Sequence, residues 1–229
     1  GMFGNNSSAD ITISKGINNN GKFSGCLGTA CDYLFLNDSV SFSGKDTIHI
    51  PRLKCNMIYN NGIVSISKEI HVDSLFNLPN GTLVLSADTQ NISGIMDFSA
   101  MNNSVVFNKQ GNQQIPNSFD VIHNLIFQNN GEKSILSNLK VNGDLRIEKQ
   151  AHLKTDSFQV IGNPNGTLFI DSLATLSIGH NYSSNSIKFP LLFSNINCHD
   201  SSLVIYASKE NQNISSKPNY GNLTIDDGA

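Results

Sequence analysis

The sequence repeats itself, and this repetition restricts the fold more than any other feature. SVSFSGKDTIHIP at 39–51 aligns without a gap with SVVFNKQGNQQIP at 104–116, and LVIYASKENQNIS at 203–215 resembles the latter. A second box recurs as NMIYNNG at 56–62, NLIFQNNG at 124–131 and GNLTIDDG at 221–228. Such internal similarity predicts a chain built from one strand-and-turn unit used several times.

The copies differ in length. Asn56 aligns with Asn124, and Asn124 aligns with Asn222, so the second step along the chain is the longer one. The shift between the first two copies also grows from the match of Gly62 with Gly131 to that of Pro79 with Pro164, which places an insertion in the second copy, within 148–163. Stacked coils accept an insertion because each coil contacts only its neighbours, whereas a closed sandwich rarely does.

Within the copies, apolar and polar residues alternate with the period of two that half-buried strands show. In LKVNGDLRI and in IHVDSLFNL, four apolar residues are predicted to share one buried face. These residues are Leu139, Val141, Leu145 and Ile147 in the first segment, and Ile70, Val72, Phe76 and Leu78 in the second.

We predict an all-β fold, a right-handed parallel β-helix, with tandem β-sandwich domains as the alternative. Asparagine and serine are expected at the turns, where stacked side chains satisfy one another and the backbone. The predicted organisation is 1–38, an N-terminal cap or separate element; 39–103, copy one; 104–202, copy two with an inserted coil; and 203–229, a truncated copy three.

Composition excludes some functions. Only 14% of residues are charged, the net charge is −3, and the two arginines are Arg52 and Arg146. A nucleic-acid partner is not expected, because such proteins carry a basic face. No apolar run approaches the roughly 20 residues that a membrane-spanning helix requires, so we expect no membrane insertion.

The repeats resemble those of large secreted proteins of the Bacteroidetes. The residues that carry the resemblance are GNQQIP at 111–116, NLIFQNNG at 124–131 and VNGDLRI at 141–147. The resemblance implies a secreted or cell-surface, adhesin-like protein whose partner is an extracellular polysaccharide or a host or cell-surface glycoprotein. It also implies O-glycosylation at Asp-Ser/Thr-aliphatic triplets, whose acceptors here are Ser39, Thr47, Ser74 and Ser172.

The sequence favours no enzyme: we predict no catalytic residue, no metal site and no cofactor. Asp144 and Glu148 alternate onto the same outward face as Arg146, which predicts a solvated charged strip. Three or more acids beside Arg146 or a lysine would instead favour a polysaccharide lyase or hydrolase. His199 follows Cys198 and is a weak candidate to assist a thiol nucleophile.

Cysteines and tyrosines supply the remaining candidates. Cys26 and Cys31 flank a short glycine-containing loop and are predicted to form a disulfide, with free buried thiols as the alternative. Among the tyrosines, Tyr182 is the candidate for an exposed glycan contact in a glycan-binding module. Tyr59 and Tyr206 align with phenylalanines and are predicted to lie in the core.

Overall fold

The structure, a computed structural model, is all-β. It describes residues 2–4, 11–13, 15–24, 34–86, 89–92, 94–179, 188–190, 192–209 and 211–226. Within these residues the regular secondary structure is strand paired with parallel strand, without a helix. None of them accordingly forms a helix with the length and hydropathy of a membrane span.

The chain divides into two compact units, and the first comprises residues 1–109. Its strands stack in parallel: Ile48 aligns with Val64, Val64 with Leu83, and Leu83 with Val105, and all four side chains are buried. The strands are β1 (Met2–Gly4), β2 (Ile11–Ile13), β3 (Gly16–Asn18), β4 (Lys22–Ser24), β5 (Leu34–Ser43), β6 (Ile48–Asn60), β7 (Ile63–Asn77), β8 (Thr82–Leu85), β9 (Thr89–Ile92), β10 (Met96–Asp97) and β11 (Ser104–Phe107).

The second unit, residues 110–229, is a coil with three faces. One sheet contains β14 (Asn124–Phe127), β17 (Leu145–Ile147), β20 (Thr167–Ile170) and β22 (Asn195–Cys198). The second contains β12 (Gln113–Ile115), β15 (Gly131–Ile135), β18 (Ala151–Lys154), β21 (Thr175–Ile178), β23 (Leu203–Tyr206) and β24 (Asn222–Ile225). The third contains β13 (Val121–Ile122), β16 (Leu139–Val141) and β19 (Val160–Ile161).

Both units are therefore stacks of parallel strands, which confirms the predicted β-helix over the tandem sandwiches. The core consists of columns of like side chains, such as Leu125, Leu145 and Leu168, which align in successive coils and are buried. Burial of each such side chain stabilises the fold by about 1.5–3 kcal/mol. Since every coil repeats the column, the alternating pattern of each strand decides which residues face outward.

Asparagine lines one interior corner of the first unit. Asn60 Nδ2 donates to Asn77 Oδ1 at 2.8 Å, and Asn77 Nδ2 donates to the carbonyl oxygens of Gly81 and Ser104 at 3.1 and 3.0 Å. Asn103 Nδ2 donates in turn to the Asn77 carbonyl. All three asparagines are 1% exposed or less. This ladder confirms the prediction that stacked asparagines satisfy one another and the backbone.

The predicted strand LKVNGDLRI is two strands, Leu139–Val141 and Leu145–Ile147, in different sheets. Its four apolar residues are buried as predicted, but the chain turns at Gly143. A Cβ at Gly143 would lie 2.4 Å from Asn124 Oδ1, so the close approach of the previous coil requires glycine.

The face predicted for IHVDSLFNL is correct at Ile70 and Val72 and wrong at Phe76 and Leu78. Leu75 and Asn77 are buried instead, while Phe76 and Leu78 are only half-buried. Two successive residues, Asp73 and Ser74, lie on the outer side of β7, and this shifts the alternation by one position.

The repeating unit in space is the coil, and it is much shorter than the sequence repeat. Leu125 aligns with Leu145 in the next coil, whereas the matching sequence boxes begin at Asn56 and Asn124. Residues 148–163, the predicted insertion, include β18 and β19, two strands of one coil. The boundaries of the three copies stay a prediction.

Candidate functional site

Three of the predicted site residues, Cys26, Cys31 and Tyr182, lie outside the described residues, so the disulfide and the glycan contact stay predictions. The other two cysteines are free. Burial raises the pKa of the Cys55 thiol to about 12, and burial also raises the pKa of Cys198. Neither thiol is therefore an activated nucleophile.

The predicted glycosylation acceptors are dispersed. Ser39 is exposed, and Thr47, Ser74 and Ser172 are partly exposed. Ser74 Oγ accepts a hydrogen bond from the Ile95 amide at 3.3 Å, so part of its capacity is used within the fold. The four acceptors belong to three strands or turns of the first unit and one turn of the second, and they form no common site.

The outer side of β14, β17, β20 and β22 carries a mixed set of charged, aromatic and amide side chains. Arg146 aligns with Phe169, and Phe169 aligns with Asn197, in three successive coils. The residues on either side of Arg146 and of Phe169 are buried, because the strands alternate. We call this surface the Arg146 face; it consists of Asp144, Arg146, Glu148, Thr167, Phe169, Asp171, Asn195, Asn197 and His199, all partly or fully exposed.

The Arg146 side chain is held by an aromatic ring. Its guanidinium carbon lies 4.1 Å from the centroid of the Phe169 ring, which is cation–π distance. Within the described residues Arg146 makes no ion pair and no side-chain hydrogen bond. The guanidinium therefore keeps its fork of N–H donors available to a ligand while its carbon lies over the ring.

The three acids of the Arg146 face differ in what they do. Asp144 Oδ1 accepts the Thr167 amide at 2.9 Å, so this carboxylate links two coils. Glu148 and Asp171 follow the aligned residues Ile147 and Ile170, which puts them in adjacent coils. Neither makes a side-chain hydrogen bond or ion pair to the described residues. Two carboxylates and one guanidinium are thus open to a ligand.

Other charged groups are engaged within the fold. On the outer side of β15, β18 and β21, Lys154 Nζ lies 3.4 Å from Glu132 Oε1, and Glu132 also accepts Ser134 Oγ at 2.9 Å. His152 Nε2 lies 2.8 Å from Ser177 Oγ, and Ser177 is buried. A similar group in the first unit joins Arg52 and His71 to Glu69.

The weak thiol candidate is not supported by the geometry. Cys198 aligns with the inward residue Ile170, whereas His199 is exposed on the outer side. His199 Nδ1 instead lies 3.0 Å from Ser201 Oγ and accepts the Ser201 amide. Consecutive residues of an extended strand point to opposite faces, so this thiol and imidazole do not meet.

Two outward aromatic groups, the pair of Tyr59 and Phe76 and the single residue Phe169, were not predicted from the sequence. Tyr206 is buried as predicted, but the prediction that Tyr59 lies in the core is wrong. Its ring is half-buried and stacks on Phe76, with centroids 5.1 Å apart. Phe169 is the second outward aromatic group. The alternation in TLFI, with Leu168 and Ile170 buried, predicts that it faces outward.

An apolar cleft of about 290 Å³ lies elsewhere in the second unit, lined by residues that include Val160, Ile161, Phe189 and Leu192. It contains none of the Arg146 face. The described residues hold no group of three histidines, cysteines or acids placed to bind a metal ion.

In comparisons with known proteins, no family model, no curated protein and no solved structure matches the chain. Any function must therefore be argued from the side chains that the coils display.

Proposed function

We propose that the chain is a non-catalytic scaffold of a secreted or cell-surface bacterial protein, adhesin-like, which displays binding residues on stacked coils. The observation that carries the proposal is the Arg146 face, where Arg146, Phe169 and Asn197 stand in register in neighbouring coils. Parallel coils lie about 4.8 Å apart, so the row presents one side chain at each step. Such a surface suits an extended partner, an extracellular polysaccharide or a glycoprotein.

Several polar groups other than Glu148 and Asp171 are engaged in holding the fold together. The Asp144 carboxylate bonds to the Thr167 amide, Glu132 bonds to Ser134 and Lys154, and both described thiols have a raised pKa. Hydrogen bonds and ion pairs of this kind stabilise the coils.

The alternative is a polysaccharide lyase or hydrolase, and one observation favours it. Asp144, Glu148 and Asp171 share the face of Arg146. Three acids beside Arg146 are the arrangement that we expected of a lyase or hydrolase. Against it, the guanidinium of Arg146 lies over the Phe169 ring, and no base is hydrogen-bonded to it among the described residues.

The test combines binding and turnover. The purified chain is applied to a glycan array and to intact bacterial and host cells, and is incubated in parallel with neutral and uronic-acid polymers. We expect saturable binding to an extracellular glycan or glycoprotein, with no change in polymer mass by mass spectrometry. Shortened or unsaturated products in proportion to the protein added would overturn the proposal and support the lyase or hydrolase.

A further inference from the structure

We infer that the Arg146 face binds an uncharged, hydroxyl-rich polysaccharide. This inference rests on the proposed display function and adds the chemical class of its ligand.

The donor and acceptor set of the face fits hydroxyl groups. Arg146 offers only donors, Glu148 and Asp171 offer only acceptors, and the amide of Asn197 offers both. A hydroxyl both donates and accepts, so a sugar with several adjacent hydroxyls can use all three kinds of group at once. A simple anion offers only acceptors and would leave the acceptors Glu148 and Asp171 unused.

The charge of the face opposes an anionic polymer. Asp144, Glu148 and Asp171 place three carboxylates around the single guanidinium of Arg146. His199, at the far end of the face, accepts the Ser201 amide through Nδ1. A polyuronate or sulfated chain would meet more negative than positive charge on this face. Repulsion between like charges would weaken its binding.

The face also has the dimensions of a polymer site. Arg146, Phe169 and Asn197 lie in three successive coils, and Ile126 extends the row by one more coil. The three steps between four coils span about 14 Å, at about 4.8 Å a step, and neighbouring outward residues of one strand lie about 6.6 Å apart. Several sugar units can therefore contact the face together, with the Phe169 ring giving apolar contact beside the hydrogen-bonding groups.

The test measures affinity by calorimetry and by affinity gel electrophoresis. The probes are soluble neutral glucan, mannan and galactan, a polyuronate, and a sulfated polysaccharide. The variants are Arg146→Ala, Arg146→Lys and Asp171→Asn. The matched control is Lys140→Ala, which removes an exposed cation from β16, in another sheet of the same unit. Circular dichroism establishes that each variant is folded.

We expect at least one neutral polysaccharide to bind. Arg146→Ala should weaken its binding about tenfold or more, the loss typical of a charged hydrogen-bond donor. Arg146→Lys should also weaken it, because lysine lacks the planar fork. Asp171→Asn should weaken it less, and Lys140→Ala should leave it within about twofold of wild type.

Three results would overturn the inference: no neutral polysaccharide binds, neutral binding is unchanged in Arg146→Ala, or only the polyuronate or sulfated chain binds with Arg146 dependence. Different results would refute the proposed function and the proposed ligand class. Products released from a neutral chain bound through Arg146 would refute the scaffold and keep the ligand class. Binding to a cell-surface glycoprotein that is indifferent to Arg146, without turnover, would refute the ligand class and keep the scaffold.

Discussion

At the scale of single residues, the coils depend on polar side chains that are buried and hydrogen-bonded. Asn77 is the central example, because its amide donates to two carbonyl oxygens and its oxygen accepts from Asn60. Lys133 is another: its residue is fully buried, and Nζ donates to the Gly111 carbonyl at 2.7 Å. A buried polar group of this kind costs little when paired and much when its partner is removed.

Asn77→Ala should therefore lower the free energy of unfolding by about 2–4 kcal/mol, because it leaves several buried donors and acceptors unpaired. The control is Asn61→Ala, an exposed asparagine nearby, which should change stability by less than about 0.5 kcal/mol. Urea unfolding of both variants measures the difference. Equal stability of the two variants would show that the ladder contributes nothing.

Cys55 gives a pH dependence whose sign follows from its burial. Its pKa in the folded chain is raised to about 12 from an ordinary value of 9.0. Between these values the unfolded chain loses the thiol proton and the folded chain retains it, so stability present below pH 9 falls as pH rises toward 12. Burial also raises the pKa of Tyr220, which acts in the same direction.

Cys55→Val removes the contribution of Cys55 and leaves those of Cys198 and Tyr220. We expect the urea midpoint of wild type to fall more steeply than that of Cys55→Val between pH 9 and pH 12. Parallel curves for the two proteins would contradict this account of the thiol.

At the scale of the element, the corner between coils is a place where backbones approach closely. Gly131 has φ of +101°, and a Cβ there would lie 2.3 Å from the Gly111 carbonyl carbon. Gly111 has φ of +86°, but a Cβ there would meet nothing within 4 Å. A side chain at Gly111 would therefore meet backbone strain alone, whereas one at Gly131 would meet both strain and overlap with the neighbouring coil.

Gly111→Ala should cost about 1–2 kcal/mol, the strain of a left-handed conformation. Gly131→Ala should cost about 1–3 kcal/mol more, because its Cβ overlaps backbone that moves only if the coil moves. Thermal or urea unfolding compares them. A larger loss for Gly111→Ala would mean that the stacking distance is not the controlling constraint.

The elements also show how far the sequence predicts the structure. The alternation in Leu139–Val141 and Leu145–Ile147 identified buried residues correctly, because the period of two survives the turn at Gly143. It failed at Phe76, because the two outward residues Asp73 and Ser74 break the period without any glycine or proline to mark the break. Local pattern does not reveal such an irregularity; the neighbouring coil decides it.

At the scale of the whole molecule, the repeat predicted the β-solenoid but not the coil. NLIFQNNG and GNLTIDDG match in sequence and contain β14 and β24, yet these two strands belong to different sheets. Similar sequences therefore serve as interchangeable strand-and-turn pieces on different faces. The Arg146 face shows the same limit: Asp144, Arg146 and Glu148 were placed together from one strand, whereas Phe169 and Asp171 join them only through the register of the next coil.

Register is thus the basis of both the fold and the proposed site, and cysteine pairs test it most directly. Gln114 aligns with Ser134 in adjacent coils, so Gln114→Cys with Ser134→Cys brings the two Cα atoms to about 4.8 Å, within the range a disulfide spans. The control is Gln114→Cys with Glu132→Cys, one outward position out of register, where the separation is about 8 Å and too long for a disulfide.

Mild oxidation of the folded variants, followed by peptide mapping, gives the measurement. We predict that the aligned pair forms an intramolecular disulfide nearly completely and that the offset pair does not. Efficient cross-linking of the offset pair, with none of the aligned pair, would contradict the parallel stack and every surface derived from it.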